Sequence, residues 1–237
     1  MTFNLQFKQP DQNKVILVSF DGNIGSGKST MMKKAEEYYK SADNVIFAEE
    51  PTEKWRQIKD KNGTEMLTLF YQDQETHAFK FQIMAFVSRL SGLREIVKAN
   101  EGKNIVIITE RSLYTDKEIF AKMLYDQGKM SDVEHQIYLT LFDEFAAEFE
   151  VNKVVYIRTV PVKCHERIHL RAREGEELIP LAYLEECDKY HEEFLDQSRG
   201  LFKEQLVLDG NQDIYQNPTL ATDWMQQIDE FIFSNRT

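Results

Sequence analysis

The octet Gly22-Asn23-Ile24-Gly25-Ser26-Gly27-Lys28-Ser29 follows closely on an apolar run that ends at Phe20. No other stretch constrains the fold of this chain as strongly. It fits G-x-x-x-x-G-K-S, in which glycines let successive backbone N–H groups turn inward around phosphate oxygens. A helix opening at the lysine adds its partial positive charge. Lys28 then reaches the outer phosphates of a nucleoside triphosphate, Ser29 offers a hydroxyl suited to Mg²⁺, and the cradle extends to Thr30. Such a loop implies a strand on one side and a helix on the other. By itself it does not separate a kinase from a GTPase, a motor or an ATPase.

The rest of the chain supplies the matching architecture. Five short apolar runs read as strands: Lys14 to Phe20, Asn44 to Ala48, Asn104 to Thr109, Lys153 to Ile157 and Gln205 to Leu208. Most are near-continuously hydrophobic, as strands covered on both faces are. Long helical patterns lie between them, including 74–99, 116–127 and 131–149, and Asn217-Pro218 has the form of a helix start. Alternation of this kind predicts an α/β fold with a parallel sheet. There is no repeat and no Gly/Ser/Pro linker, so the 237 residues are read as one domain, with 1–13 as a loosely ordered N-terminal arm.

Charge and composition narrow the partners. Acidic residues number 40 against 29 basic ones, a net charge of −11. Without a basic field, a nucleic-acid polymer is not expected as a partner. No apolar run approaches the ~20 residues of a membrane span. The segment MTFNLQFKQPDQNK has no apolar core and no arginine, which speaks against a secretory leader and weakens a mitochondrial one. Two cysteines, Cys164 and Cys187, do not make a disulfide scaffold, so a cytoplasmic location is expected. Cys164, His165, His169, Cys187 and His191 lack the compact spacing of a zinc site and are read as packed.

Three further groups carry chemistry. In open parallel sheets ligands bind beyond the carboxyl ends of the strands. Two of those ends run into Glu49-Glu50-Pro51 and Glu110-Arg111-Ser112. A carboxylate there can take a proton from an attacking hydroxyl or hold Mg²⁺ through water. Arg167 and Arg171 share a helix face and Arg173 follows, a concentration of positive charge suited to a flap over phosphates. Gln82, Ala85, Phe86 and Arg89 also share a face. The Gln82 amide can pair with a base edge, and Arg89 can pair with a carboxylate or donate to base acceptors.

Taken together, GNIGSGKS, EEPTEKW, FQIMAFVSRL, ERSLYTD and RIHLRARE with IPLAYLE resemble the deoxynucleoside kinase family, closest to its deoxycytidine and deoxyguanosine kinase branch, over about residues 14–215. The resemblance implies a P-loop kinase fold with a five-stranded parallel sheet, a homodimer, and transfer of the γ-phosphate of ATP to the 5′-hydroxyl of a deoxynucleoside in nucleotide salvage. It implies that Glu50 is the general base, that Arg111 steadies the transferring group, and that Glu110 holds Mg²⁺ with Ser29. Arg167, Arg171 and Arg173 become the flap arginines. Tyr71 and Glu176 take the 3′-hydroxyl and crowd a 2′-hydroxyl. Trp55, Phe81 and Phe120 wall the base pocket, and Gln82 pairs with the base. Asp213 and Ile214 lie near the donor's base. In the family Arg89 and Asp116 meet at the far end of the base pocket. There they favour deoxycytidine or a purine deoxynucleoside over thymidine, with Ala85 leaving room. Two other readings compete. A deoxynucleoside monophosphate kinase would need more cations for its acceptor. A non-catalytic nucleotide-binding subunit should have lost Lys28, Glu50 or the Glu110–Arg111 pair.

Overall fold

Residues 14–173, 176–196 and 204–233 are described by the structure, a computed structural model, and the arm expected over 1–13 lies outside them. The strands are β1 (Val15–Asp21), β2 (Val45–Ala48), β3 (Ile105–Glu110), β4 (Lys153–Arg158) and β5 (Glu204–Asp209). They pair in parallel in the order β2-β3-β1-β4-β5. The central strands are the branched, apolar ones. VILVSFD, IVIITE and KVVYIR are buried along most of their length, as covered strands must be. The edge strands differ from that expectation. Most of β2 is half-buried, and β5 carries Glu204, Gln205 and Asp209, because each edge has a partner on one side only.

Helices cover both faces. They are α1 (Lys28–Tyr38), α2 (Thr52–Arg56), α3 (Met66–Gln72), α4 (Gln74–Ala99), α5 (Leu113–Thr115), α6 (Lys122–Asp126), α7 (Asp132–Phe145), α8 (Pro161–Arg171), α9 (Leu181–Phe194) and α10 (Pro218–Phe233). The period-two alternation of each central strand splits the core. Leu17, Ile107 and Val154 face a cluster with Phe86 and Leu93 of α4, Tyr138 of α7 and Leu184 of α9. Their neighbours Val18, Ile108 and Val155 face Met31 and Met32 of α1 and Trp224 and Ile228 of α10.

Local signals set the helix ends. Asp73 accepts a hydrogen bond from the Thr76 N–H and starts α4, and Ser131 with Glu134 forms a capping box on α7. The segment read as one helix over 116–127 begins at α5. It passes through a π-turn over Asp116–Ala121 before α6. The helix read over 131–149 tightens to a 3₁₀ turn over Ala146–Phe149. Register brings the site together. Phe20 lies opposite Glu110 and Ser19 opposite Thr109, so the end of β3 sits level with the start of the phosphate loop.

Candidate functional site

The phosphate loop is shaped by close approach. Gly22 has φ +147° and Gly25 φ +78°. A Cβ on Gly22 would stand 2.6 Å from the Ile157 carbonyl oxygen, and one on Gly25 2.5 Å from that of Cys164, so neither position admits a side chain. Thr159 Oγ1 and Arg167 Nη1 each donate to the Ser26 carbonyl at 3.0 Å. The Asn23 side chain anchors the loop. Its Nδ2 donates to the Leu184 carbonyl at 2.8 Å and its Oδ1 accepts from the Ile24 N–H at 2.8 Å. Gly22 and Asn23 therefore shape the cradle from behind, while Ile24 through Thr30 line it. The Ser26 hydroxyl is buried without a partner. Lys28 Nζ donates to the carbonyls of Gly22 (2.9 Å) and Asn23 (2.7 Å). Burial, with the neighbouring Arg111 charge, pushes the Lys28 ammonium down to about 8, against the pull of Glu110 and Glu50.

A cavity of about 590 Å³ opens from this loop. At the strand ends Glu50 Oε1 accepts from Arg111 Nη1 at 2.6 Å and lies 3.7 Å from Arg89 Nη2. Burial opposes the Glu50 charge, but Arg111, Arg89 and Lys28 outweigh it and hold the carboxyl below its ordinary range. Arg111 has φ +62°, a left-handed conformation that a long side chain rarely adopts. Its N–H donates to the Phe20 carbonyl at 3.1 Å and its guanidinium stands 4.9 Å from the centre of the Phe120 ring. Backbone and stacking together thus aim this guanidinium into the cavity. Ser29 Oγ donates to Glu110 Oε1 at 2.9 Å. These two hard oxygen donors beside the phosphate loop are the kind that Mg²⁺ accepts, and the residues fit that ion.

One end of the cavity is aromatic. Trp55, Phe70, Tyr71, Phe81, Phe120 and Tyr183 line it with Gln82, Ala85 and Asp116. Phe70 stacks on Phe81 at 4.6 Å, and the Trp55 ring meets Phe81 edge-on at 5.3 Å. Trp55 Nε1 is pinned by the Ser88 hydroxyl at 2.9 Å. Phe70 and Tyr183 were not among the residues singled out from sequence. Their aromatic character beside Tyr71 and within IPLAYLE was the only available signal. The π-turn carries both Asp116 and Phe120, and such turns recur where a helix must re-aim a side chain at a site.

Arg89 meets Asp116 as expected, but its place relative to the chamber differs. It does not line this cavity but borders a second one of about 510 Å³ behind Glu50 and Glu110. Its Nε donates to Asp116 Oδ2 at 2.8 Å and its Nη1 to the Glu110 carbonyl at 2.6 Å. The guanidinium is thus committed to protein acceptors, and of the pair only Asp116 faces the aromatic chamber. Burial raises the Asp116 pKa, with Arg89 pulling it back.

Arg167, Arg171, Arg173 and Glu176 line the opposite wall. Ala172, with φ +47°, ends α8 and turns the chain between the last two arginines. Glu176 is buried and its neighbour Glu177 exposed, so Glu176 is the one that meets the cavity. Gly210, Gln212, Asp213, Ile214 and Tyr215, which follow β5, complete the far rim. Tyr215 was also not singled out from sequence.

The pattern that describes the deoxynucleoside kinase family matches residues 18–233. Deoxycytidine kinase 1 of Xenopus laevis is 32% identical over 92% of this chain and 91% of its own length. Deoxycytidine kinase 2 of Gallus gallus is 32% identical over 94% and 92%. Thymidine kinase 2, mitochondrial, of Homo sapiens is 32% identical over 79% of this chain and 67% of its own. With a phosphate cradle, a carboxylate–arginine pair at the strand ends and an aromatic chamber in one cavity, this chain is an enzyme and belongs to the deoxynucleoside kinase family.

Proposed function

We propose that the protein transfers the γ-phosphate of ATP to the 5′-hydroxyl of deoxycytidine or a purine deoxynucleoside, in preference to thymidine. The observation that carries this preference is Asp116, which faces the aromatic chamber with Arg89 behind it as counter-ion. A carboxylate accepts hydrogen bonds, so at the far end of the chamber it suits an exocyclic amine. Thymine would present an oxygen acceptor and a methyl group at that edge. Gln82 supplies a donor and an acceptor on the same chamber wall. Trp55, Phe81 and Phe120 sandwich the base, while Tyr71 and Glu176 take the 3′-hydroxyl and leave little room for a 2′-hydroxyl.

Phosphoryl transfer asks the protein mainly for positioning and charge neutralisation. Glu50, held ionised by its arginine neighbours, takes the proton of the 5′-hydroxyl. Arg111, fixed by its backbone and by Phe120, steadies that hydroxyl and the transferring group. Lys28, the loop N–H groups and Arg167, Arg171 and Arg173 meet the phosphate charge. Mg²⁺, held by Ser29 and Glu110, would supply further neutralisation of the phosphate oxygens. Asp213, Ile214 and Tyr215 border the donor's base.

No helix among the described residues is long and apolar enough to cross a membrane. Both cysteines are buried free thiols, which supports a cytoplasmic place in nucleotide salvage. A homodimer is supported by the apolar residues exposed on α4 and α7, Val87 (50%), Val133 (66%) and Ile137 (45%). Those helices already pack together through Phe86 and Tyr138.

The test is incubation with Mg-ATP and each of the four deoxynucleosides, with separation of products. Monophosphate from deoxycytidine or a purine deoxynucleoside, with little from thymidine, is expected. Thymidine as best substrate would overturn the specificity. Diphosphates formed only when monophosphates are supplied would move the acceptor to a nucleotide.

Lys28 also gives the donor site a pH dependence. An arriving polyanion favours the charged ammonium, so the bound pKa exceeds the free value of about 8. Below pH 8 the free protein is already protonated and affinity is level. Above it a proton must be taken up on binding, and affinity falls by about tenfold per pH unit. Calorimetric titration with a non-hydrolysable ATP analogue from pH 7 to 9.5 should show the break, and a flat profile would refute it.

A further inference from the structure

Two of the three cavity arginines are held by a single carboxylate. Arg171 Nη2 donates to Glu176 Oε2 and Arg173 Nη1 to Glu176 Oε1 at 3.1 Å, one guanidinium on each oxygen. Arg167 alone among the three is tied to the loop itself, at the Ser26 carbonyl. Glu176 is 4% exposed, so its charge depends on these partners rather than on water. All of these groups border one cavity with Lys28 and Ser29. Tyr71 stands near the same carboxylate. Its hydroxyl is pushed up first by burial and then by the Glu176 charge.

Arg171 and Arg173 cannot serve a triphosphate and Glu176 together with the same donors. Turning them to the phosphates strips a buried carboxylate of its donors, which is strongly unfavourable unless another donor replaces them. We propose that Glu176 couples the two substrates. A sugar 3′-hydroxyl that donates to Glu176 replaces one of the two hydrogen bonds lost when Arg171 and Arg173 turn to the triphosphate, so each substrate tightens the other. The coupling rests on the reading of the aromatic chamber as the deoxynucleoside site. It assigns Glu176 a positioning role toward the donor in addition to its contact with the acceptor. Linkage makes the effect reciprocal.

The test uses the wild-type full chain, Mg²⁺ and a non-hydrolysable ATP analogue. The Kd of the analogue is measured by calorimetry alone, with a saturating amount of the best deoxynucleoside substrate, and with a saturating amount of its 2′,3′-dideoxy counterpart. The Kd of each nucleoside is measured separately to establish saturation. The deoxynucleoside should tighten the analogue by about tenfold, within the usual range for coupled sites, and the dideoxynucleoside by less than about twofold. Equal tightening by both, with normal binding of each, overturns the coupling and leaves the kinase reading intact. If no deoxynucleoside binds, the acceptor reading falls and the coupling with it. Glu176→Gln supplies a second readout. With the carboxylate charge gone the arginines are released, so this variant should bind the analogue alone several-fold tighter than wild type and show no response to deoxynucleoside. A merely structural role for Glu176 would instead weaken the analogue, and that result would also overturn the proposal.

Discussion

Glu50→Gln lowers kcat for phosphoryl transfer by about three orders of magnitude and leaves the Kd of the deoxynucleoside within about threefold, since positioned proton transfer contributes roughly 10²- to 10⁴-fold. Glutamine keeps the shape of the side chain and an oxygen that can accept from Arg111 Nη1, now at 2.6 Å from Glu50. It cannot take a proton. The buried guanidinia keep other acceptors, because Arg89 holds Asp116 and the Glu110 carbonyl and Arg111 retains the attraction of Glu110 and Asp116. The fold should therefore survive the loss of this one charge. A variant with kcat near wild type and a raised KM would mean that Glu50 only binds substrate. The wild-type pH profile carries the same information. Arg111, Arg89 and Lys28 overcome the effect of burial and keep Glu50 below the ordinary carboxylate range. A base must be unprotonated to act, so a lowered pKa keeps Glu50 active across the neutral range. An acid limb in kcat/KM near neutral pH would belong to another group.

The second large effect lies at the Arg89–Asp116 pair. The two side chains are 3% and 5% exposed. Removing one member of such a pair costs about 3–5 kcal/mol, because the other is left charged and buried, whereas replacing both by apolar groups is often nearly neutral. Asp116→Leu should thus lower Tm by about 10 °C, at roughly 2–4 °C per kcal/mol for a domain of this size. Arg89→Leu combined with Asp116→Leu should recover most of that loss. A double variant as unstable as the single one would show that the pair is not coupled in this way. The same double variant removes the acceptor that faces the chamber and enlarges its apolar end. Its ratio of kcat/KM for deoxycytidine over thymidine should fall by about 10- to 100-fold, the worth of one well-formed base contact. Melting curves and steady-state kinetics on the four proteins of the cycle measure both effects. An unchanged ratio would place base discrimination elsewhere, with Gln82 the first alternative.

Much of the fold was legible because its signals are local. The phosphate loop is a run of adjacent residues whose glycines answer contacts that only Gly tolerates, and the strand end before it fixes its direction. The branched central strands and the long α4 follow from period and caps. Sheet order is not written in any one segment, and the exposed character of β5 is a consequence of its edge position. The carboxylates of Glu50 and Glu110 could be placed from sequence because parallel strands end together at one side of the sheet.

What required the tertiary structure was direction and partner. Arg89 shares a helix face with Gln82 and Ala85, as its spacing indicates, yet its donors turn behind the chamber because Asp116 and the Glu110 carbonyl lie there. Helical spacing fixes the face but not the rotamer, which the nearest buried acceptor decides. Asp116 and Phe120 reach the cavity through a π-turn, and Arg111 through a left-handed backbone that packing must hold. Glu176 could not be told from Glu177 by residue type. Burial and the two arginines that close on it make the distinction. Backbone periodicity and loop chemistry are properties of neighbouring residues, and the sequence by itself determines them. Which charge meets which across 27 or 61 positions is decided only when the chain has folded, because the energy of a buried charge depends on the donors and acceptors that surround it in space.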